Sequence, residues 1–336
     1  MGVAFKMNKQ IDFVVTWVDG DDPKWRQKHD EYLNIDSDGN HADSESRYRD
    51  FDTFKYWFRA VEKYAPWVNK IYLITDQQRP KWLASVPNLV VIDHADIIPS
   101  KFLPTFNSNV IESHIHKIPN LAEQFVLFND DMFLNNSTQP TDFFKNGLPL
   151  DSLIFHPVFP EDWFDHIRIN NLIKINQAFH NKRKLQFRNF SKVYNYRYGK
   201  YLFNNLLNSL YNRVPGFIDW HCSTAYLKSD FEYVVEKYSQ EFTELSTHKV
   251  RLETDISHWL IRYSRLMEGR FYPQSPKFGK SIYVNRLDDV KRTLLKGEQK
   301  IININDVDDI ENMESYQNNL ISLFEKKFPA KSRFEI

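Results

Sequence analysis

Asn129-Asp130-Asp131 interrupts an otherwise apolar run, FVLFNDDMFL, at residues 125–134. Two adjacent carboxylates at the end of a buried strand are costly, because like charges at low dielectric repel unless a cation or a bound proton offsets them. Such a pair suits a hard divalent cation, Mg2+ or Mn2+, which prefers oxygen ligands. That cation in turn can clamp a diphosphate. Two more acids stand where apolar runs stop: Asp19, in Asp19-Gly20-Asp21-Asp22-Pro23, and Asp76, closing KIYLITD at 70–76. A single acid at a strand end is ordinarily a turn former. Three in one sheet would converge on one rim. A second cluster lies in VIESHIHKI (110–118), where Glu112 and His116 are four apart and would share a helical face, ordinarily as a surface pair. His114 and His116 are two apart, so on a helix they point to different faces and do not make a zinc pair.

The elements that must position these residues alternate between strand and helix. IDFVVTWV (11–18) reads as a buried strand ended by a strong turn signal, and residues 50–64 carry apolar positions at helical spacing, stopped at Ala65-Pro66. KIYLITD (70–76), LVVID (89–93) and FVLF (125–128) are further strands, and 107–118 reads as a helix capped by Asn107 or Ser108. This alternation predicts an α/β fold, a mostly parallel sheet with helices on both faces. In such sheets ligands bind beyond the carboxyl ends of the strands. Periodicity is mixed over 151–217. Helical patterns return over 229–269, closed by Gly269; IININD (301–306) reads as a short strand and 313–327 as a final helix.

Composition narrows the function. The 336-residue chain has 44 basic and 44 acidic residues, and a neutral balance argues against bulk nucleic-acid binding. One cysteine, Cys222, makes no internal disulfide and suits a reducing compartment. The first residues lack the apolar stretch of a signal peptide, and no run reaches the roughly 18 apolar residues of a membrane span. The expectation is a soluble cytoplasmic protein. KRKLQFRNFSKVYNYRYGKYLF (182–203) interleaves cations with aromatics. It reads as a solvated helical hairpin, as a platform for acceptor sugars, or as a peripheral contact with the inner face of a bacterial membrane.

The stretches IDFVVTWVDGDDP (11–23), KYAPWVNKIYLITDQQRPKWL (63–83), LPTFNSNVIESHIHKIPNLAEQFVLFNDDMFL (103–134) and IININD (301–306) resemble the four-block signature of the Stealth family. Its members are hexose-1-phosphate transferases of bacterial capsule and exopolysaccharide synthesis, and the animal GlcNAc-1-phosphotransferase is similar to them. The third block is matched more loosely near 219–270, and about 150–217 lies outside the resemblance.

The resemblance implies transfer of a sugar-1-phosphate. An acceptor hydroxyl attacks the β-phosphorus of a UDP-hexose or UDP-HexNAc, UMP leaves, and a phosphodiester forms. The implied catalytic residues are Glu112, Asp131, His221 in WHCSTAYL (220–227) and Arg251 in KVRLETDIS (249–257). Asp131 would bind metal with Asp130 as ligand or support; Glu112 would bind sugar hydroxyls or the metal's surroundings. His221 is a candidate general base, although a carboxylate oriented by His221 could serve instead. Arg251 would grip a phosphate through its planar fork. Asp19 and Gly20 are expected near the uridine or diphosphate, with a weaker case for Asp76, and Asn305 and Asp306 from the C-terminal side. The implied architecture is a Rossmann-like or GT-A-like nucleotide-sugar core over 1–150, a helical, aromatic and basic insertion over 151–217, and a C-terminal part, 218–336, completing the site. The acceptor would be a polyprenyl-linked or free oligosaccharide. Two rivals remain: a metal-dependent glycosyltransferase, which would release UDP, and a non-catalytic carbohydrate- or nucleotide-binding module.

Overall fold

The computed structural model describes residues 10–36, 48–161, 163–307 and 312–336. Its centre is a five-stranded sheet. Strand β1 (Ile11–Thr16) lies between β2 (Ile71–Thr75) and β4 (Gln124–Asn129), and β3 (Leu89–Asp93) flanks β2, all parallel. Phe13 pairs with Ile71 on one side and Val126 on the other. A fifth strand, β6 (Thr224–Leu227), runs antiparallel beside β4, giving the order β3-β2-β1-β4-β6. The predicted α/β core is therefore present, with one antiparallel edge strand absent from the sequence reading.

Alternation along β1 explains its continuous apolar run. Ile11, Phe13 and Val15 enter one core, and Val14 enters the other on the opposite face, as the two-residue period of a strand requires. The first core takes in helix α2 (Phe54–Tyr64) and the C-terminal residues Leu320, Phe324, Phe328 and Phe334. The second takes in Leu153, Phe155 and Leu172 of the insertion and Leu260 and Tyr263 beyond it. Each face of the sheet is thus covered by chain from outside the first 150 residues.

Two polar devices lock this arrangement. Asp12, fully buried, accepts hydrogen bonds from Asn69 Nδ2 (2.7 Å), the Lys70 amide (3.1 Å) and the Ala122 amide (2.8 Å), tying together the amino ends of β1, β2 and β4. Arg59 on α2 donates to both oxygens of Glu335 and to the Phe328 carbonyl, which holds the C-terminal tail against the sheet. A bidentate pair of this kind fixes geometry as well as charge.

The C-terminal blocks fold back as expected. Strand β8 (Ile301–Asn305) pairs parallel with β7 (Gly279–Tyr283) and antiparallel with β5 (Met132–Leu134), the strand that leaves the Asp130-Asp131 turn. The Ile304 amide donates to the Asp131 carbonyl at 3.0 Å, so the C-terminal strand is seated directly on that turn.

The helix predicted over 107–118 is shorter. Helix α3 spans Ser108–Ser113, capped by the Asn107 side chain on the Asn109 amide, and a 3-10 turn follows over Ile115–Lys117. Burial favours the break, since the His114 ring turns back on the Val110 carbonyl. Glu112 and His116 therefore share no helical face. The 229–269 pattern resolves into helices Lys228–Lys237, Ser239–Thr247 and Trp259–Glu268, the last ended by Gly269 at φ +70°. The insertion contains helices Asp165–Ala178, Lys182–Arg188 and Leu202–Asn208. Among the described residues no helix is long and apolar enough to cross a membrane.

Candidate active site

A cavity of about 410 Å3 opens beyond the carboxyl end of β4. The Asp130-Asp131 turn, the start of α3, the 219–224 loop, the 251–259 segment and the end of β8 all line it. The predicted catalytic residues Glu112, Asp131, His221 and Arg251 line this one cavity although they span 140 positions of sequence, and Asp130, Asn305 and Asp306 join them.

Glu112 is buried on α3. Its Oε2 lies 2.7 Å from Nδ1 of His258. Burial pushes the Glu112 carboxyl up, yet His258, Arg251 and His221 together pull it below its ordinary value, so it stays ionised. An ionised carboxylate can only accept, so His258 must carry its proton on Nδ1, which leaves Nε2 as the basic nitrogen. The pairing is held by Asp255, three residues before His258. Its carboxylate accepts from Asn107 Nδ2 at 2.7 Å and lies 2.6 Å from His248 Nδ1. Asn107 is also the cap of α3, so one residue fixes the helix carrying Glu112 against the segment carrying His258. Arg251 donates to the Ser108 hydroxyl on the first turn of the same helix.

The loop carrying His221 is anchored from below. Asp219 is bound by the Tyr263 hydroxyl at 2.5 Å, by Arg262 and, at 3.7 Å, by Arg168. Arg262 and Arg265 share Asp151 at 2.8 and 2.7 Å. Above this buried network His221 itself adopts φ +46°, an uncommon conformation for a non-glycine residue. It lies within charge range of Asp131 and Glu112, opposing ionic repulsion between them.

Asp130 and Asp131 are half-buried on the cavity floor. Burial, together with the charges of Asp131 and Asp50, raises the Asp130 carboxyl well above its ordinary value. Burial also raises Asp131, against the opposing pull of His221 and Asn303. Asp50, which accepts from Trp17 Nε1 at 3.1 Å, is pushed up to about 6, mainly by burial. The Asp131 Oδ1 atom is buried without a hydrogen-bond partner. Among the described residues no group of three or more His, Cys, Asp or Glu side chains is set to hold an ion. Mg2+ asks less of the protein: one or two carboxylates, with water and substrate phosphates filling the remaining positions. The orphaned oxygen and the mutual repulsion fit that requirement.

Three sequence candidates lie outside the cavity lining. The Asp19 amide donates to Gln78 Oε1 at 2.9 Å, and Gln78 Nε2 donates back to the Asp19 carbonyl. The close approach at Gly20 is to protein: a Cβ there would sit 2.3 Å from the Tyr48 carbonyl oxygen. Asp76 forms an ion pair with Lys28 at 2.6 Å. Cys222 lines the cavity with its thiol pushed up to about 12 by burial, which keeps it unreactive.

Residues not singled out from sequence also line the site: His258, Asp50, and Arg49, which pairs with Asp306 at 3.1 Å. His258 stood in plain view in DISHWL, seven residues after Arg251. Asp50 precedes a helix in a pattern common to many caps, and nothing local marks it.

Residues 9–37 match Stealth protein CR1, conserved region 1, and residues 47–150 match Stealth protein CR2, conserved region 2. The chain is 45% identical to a capsular polysaccharide phosphotransferase, WcwK, of Streptococcus pneumoniae, over 98% of this chain and 99% of that one. It is 42% identical to the exopolysaccharide phosphotransferase cps2G of Lactiplantibacillus plantarum, over 97% and 96%. It is 38% identical to the receptor polysaccharide phosphotransferase WefC of Streptococcus gordonii, over 98% and 100%. Among solved structures, the galactosyltransferase LgtC in complex with donor and acceptor sugar analogs aligns over 94% of this chain and 95% of that one, at 10% identity and a TM-score of 0.42.

Proposed function

This chain belongs to the Stealth family of bacterial polysaccharide phosphotransferases, and we propose that it moves a sugar-1-phosphate from a UDP-sugar to a saccharide hydroxyl in capsule or exopolysaccharide synthesis. A phosphodiester forms and UMP leaves. The observation that carries this reading is the convergence of the Glu112–His258 pair, His221, Arg251 and Asp131 on one cavity. Phosphoryl transfer asks mainly for positioning and charge stabilisation, and this set supplies a base, two cationic or proton-bearing groups and a carboxylate floor.

The acceptor hydroxyl loses its proton to His258 Nε2 as its oxygen attacks the β-phosphorus. Glu112, bound to Nδ1, steadies the imidazolium that results, as the buried carboxylate does in a Ser-His-Asp triad. In this reading the base is His258, and His221, which lines the same cavity, is a donor to phosphoryl oxygens. Arg251, held by Ser108, presents its guanidinium to the diphosphate. Asp130 and Asp131 are the residues that would hold Mg2+ or Mn2+; when bound, the ion offsets diphosphate charge and the charge on departing UMP. The acceptor in this reading is an oligosaccharide, free or polyprenyl-linked.

Product analysis tests the proposal. The protein is incubated with Mg2+, a panel of UDP-sugars and an oligosaccharide acceptor, and the released nucleotide is identified. UMP with a phosphodiester signal in the product is expected. Release of UDP would make the protein a glycosyltransferase and remove the argument.

A further inference from the structure

Helix Leu202–Asn208 is built inside out. Its buried face is polar: Asn205 and Asn208 are 0% and 6% exposed. Asn205 Nδ2 donates to the Leu153 and Val193 carbonyls, and its Oδ1 accepts from the Phe155 amide. Asn208 Nδ2 donates to the Phe155 and Asn204 carbonyls. The opposite face turns Phe203, Leu206, Leu207 and, two residues past the helix end, Leu210 to solvent, at 61, 52, 49 and 70% exposure. These positions follow the i, i+3, i+4, i+7 spacing of an apolar helical stripe. Such a stripe ordinarily faces a core, and a contiguous exposed one marks an interaction surface.

The neighbouring helix, Lys182–Arg188, extends the same surface. Arg183 donates to the Leu210 carbonyl and Lys182 to the Asn208 carbonyl, which lashes the two helices together. Phe187, 83% exposed, joins Leu210 and Tyr211 around a shallow groove edged by Arg183 and Lys184. Charge is as one-sided as apolarity. No Asp or Glu occurs between Asp165 and Asp219, whereas that span holds ten lysines and arginines, in a chain whose charges cancel overall; of the ten, Lys182 is buried and Arg168 and Lys174 are ion-paired with acids.

We propose that this face docks on an anionic lipid bilayer, with the Phe203–Leu210 stripe entering the interface and the surrounding cations meeting headgroup phosphates. An interfacial amphipathic helix has this combination of exposed apolar stripe and cationic flank. A protein partner would also bury the stripe, but the exposed cations beside it, Arg183, Lys184 and Arg188, stand in a span free of Asp and Glu and favour an anionic surface. The surface adjoins the cavity: the Tyr201 ring packs edge-on against Trp220, which lines it, at 5.3 Å. Docking would therefore hold the cavity mouth near the membrane surface. The inference stands on the insertion alone and is independent of which nucleotide the site releases.

The test is co-sedimentation of the full chain with vesicles of phosphatidylcholine alone and with about one-third phosphatidylglycerol. The chain is expected to partition onto the anionic vesicles and to be released by high salt. Leu206→Asp combined with Leu207→Asp should cut partitioning at least about tenfold, as should Lys184→Glu combined with Arg188→Glu. Circular dichroism melts of both variants should match the wild type, since these side chains point to solvent. Equal binding to neutral and anionic vesicles, or undiminished binding of the variants, would overturn the proposal. So would a concentration-dependent dimer in sedimentation that the leucine variant dissolves, since the stripe would then belong to a second copy of the chain.

Discussion

Replacing Glu112 with Gln changes one atom and removes one charge, and the geometry says what that should do. Glu112 Oε2 faces His258 Nδ1 at 2.7 Å in a buried setting. In the proposed reaction the carboxylate has two effects on His258 as the base. It forces the tautomer that leaves Nε2 free, and it stabilises the imidazolium formed when the acceptor proton arrives. Gln keeps the size but can turn its amide nitrogen toward Nδ1, so the proton moves to Nε2 and the base is lost. General base catalysis contributes about 10^2 to 10^4 in rate, and wrong-tautomer substitution in a triad lies at the upper end of that range. A fall in kcat of about 10^3 is expected, about 4 kcal/mol at 1.36 kcal/mol per decade. KM should change little, because the pair binds no substrate in the ground state.

A double-mutant cycle makes the reasoning refutable. His258→Ala should cost about as much as Glu112→Gln, and the double variant should be no slower than His258→Ala alone, because carboxylate and imidazole act as one unit. The assay is initial-rate UMP release at saturating donor. If the two losses multiply, Glu112 acts separately, on sugar hydroxyls or near the metal. If His258→Ala keeps more than about a tenth of wild-type kcat while His221→Ala does not, the base is His221.

Three further outcomes follow from the surroundings of the site. Asp131→Asn should lower kcat at least about a hundredfold by neutralising a carboxylate on the cavity floor, with an unchanged circular dichroism spectrum; near-normal turnover with Mg2+ present would refute the metal assignment. Asp219→Ala leaves Arg262 and Arg168 short of a buried partner and should cost about 3–5 kcal/mol in urea unfolding, with lowered turnover because the His221 loop loses its anchor. Asp50, raised from its ordinary 3.8 to about 6 mainly by burial, costs stability as pH climbs through that window. With chelator present, Asp50→Asn should stabilise the fold by about 3 kcal/mol above pH 6 and by little below pH 4, read from urea midpoints.

What was legible in sequence, and what was not, follows from the range over which each feature is set. Strands β1 to β4 could be read because a strand buried on both faces writes a continuous apolar run, and the Asp-Gly and Ala-Pro punctuation is local. The antiparallel strand Thr224–Leu227 is four residues long and carries no periodic signal of its own. The break after Ser113 depends on the burial of His114, a tertiary fact. Glu112 was found, but its partner was sought four residues away when it lies 146 residues away; spacing on a helix says nothing of a helix that stops. Asn205 and Asn208 are polar and yet buried, because each donates to carbonyls of the 153–155 segment, a long-range pairing that no local pattern announces.

Two acids near opposite ends of the central strands show how function separates from structure when the residue type is the same. Asp12, at the amino end, has donors on both oxygens: Asn69 and Lys70 on Oδ1, Ala122 on Oδ2. Its burial is compensated within the protein, and it asks for nothing more. Asp131, at the carboxyl end, keeps a buried oxygen without a donor and stands beside Asp130, with Asp50 close by, each of the three carboxyls raised by burial. Leaving a buried acceptor unsatisfied costs about 1–3 kcal/mol, and a fold that so fully satisfied Asp12 had the means to satisfy Asp131 as well. Asp19 and Asp76 fall on the structural side by the same criterion, one with its backbone bridged to Gln78 and the other paired with Lys28. Position at a strand end nominated Asp19, Asp76 and Asp131 alike; of the three it is Asp131 that keeps a carboxylate oxygen without a hydrogen-bond partner, and that is the ground on which the proposed reaction gives it a ligand.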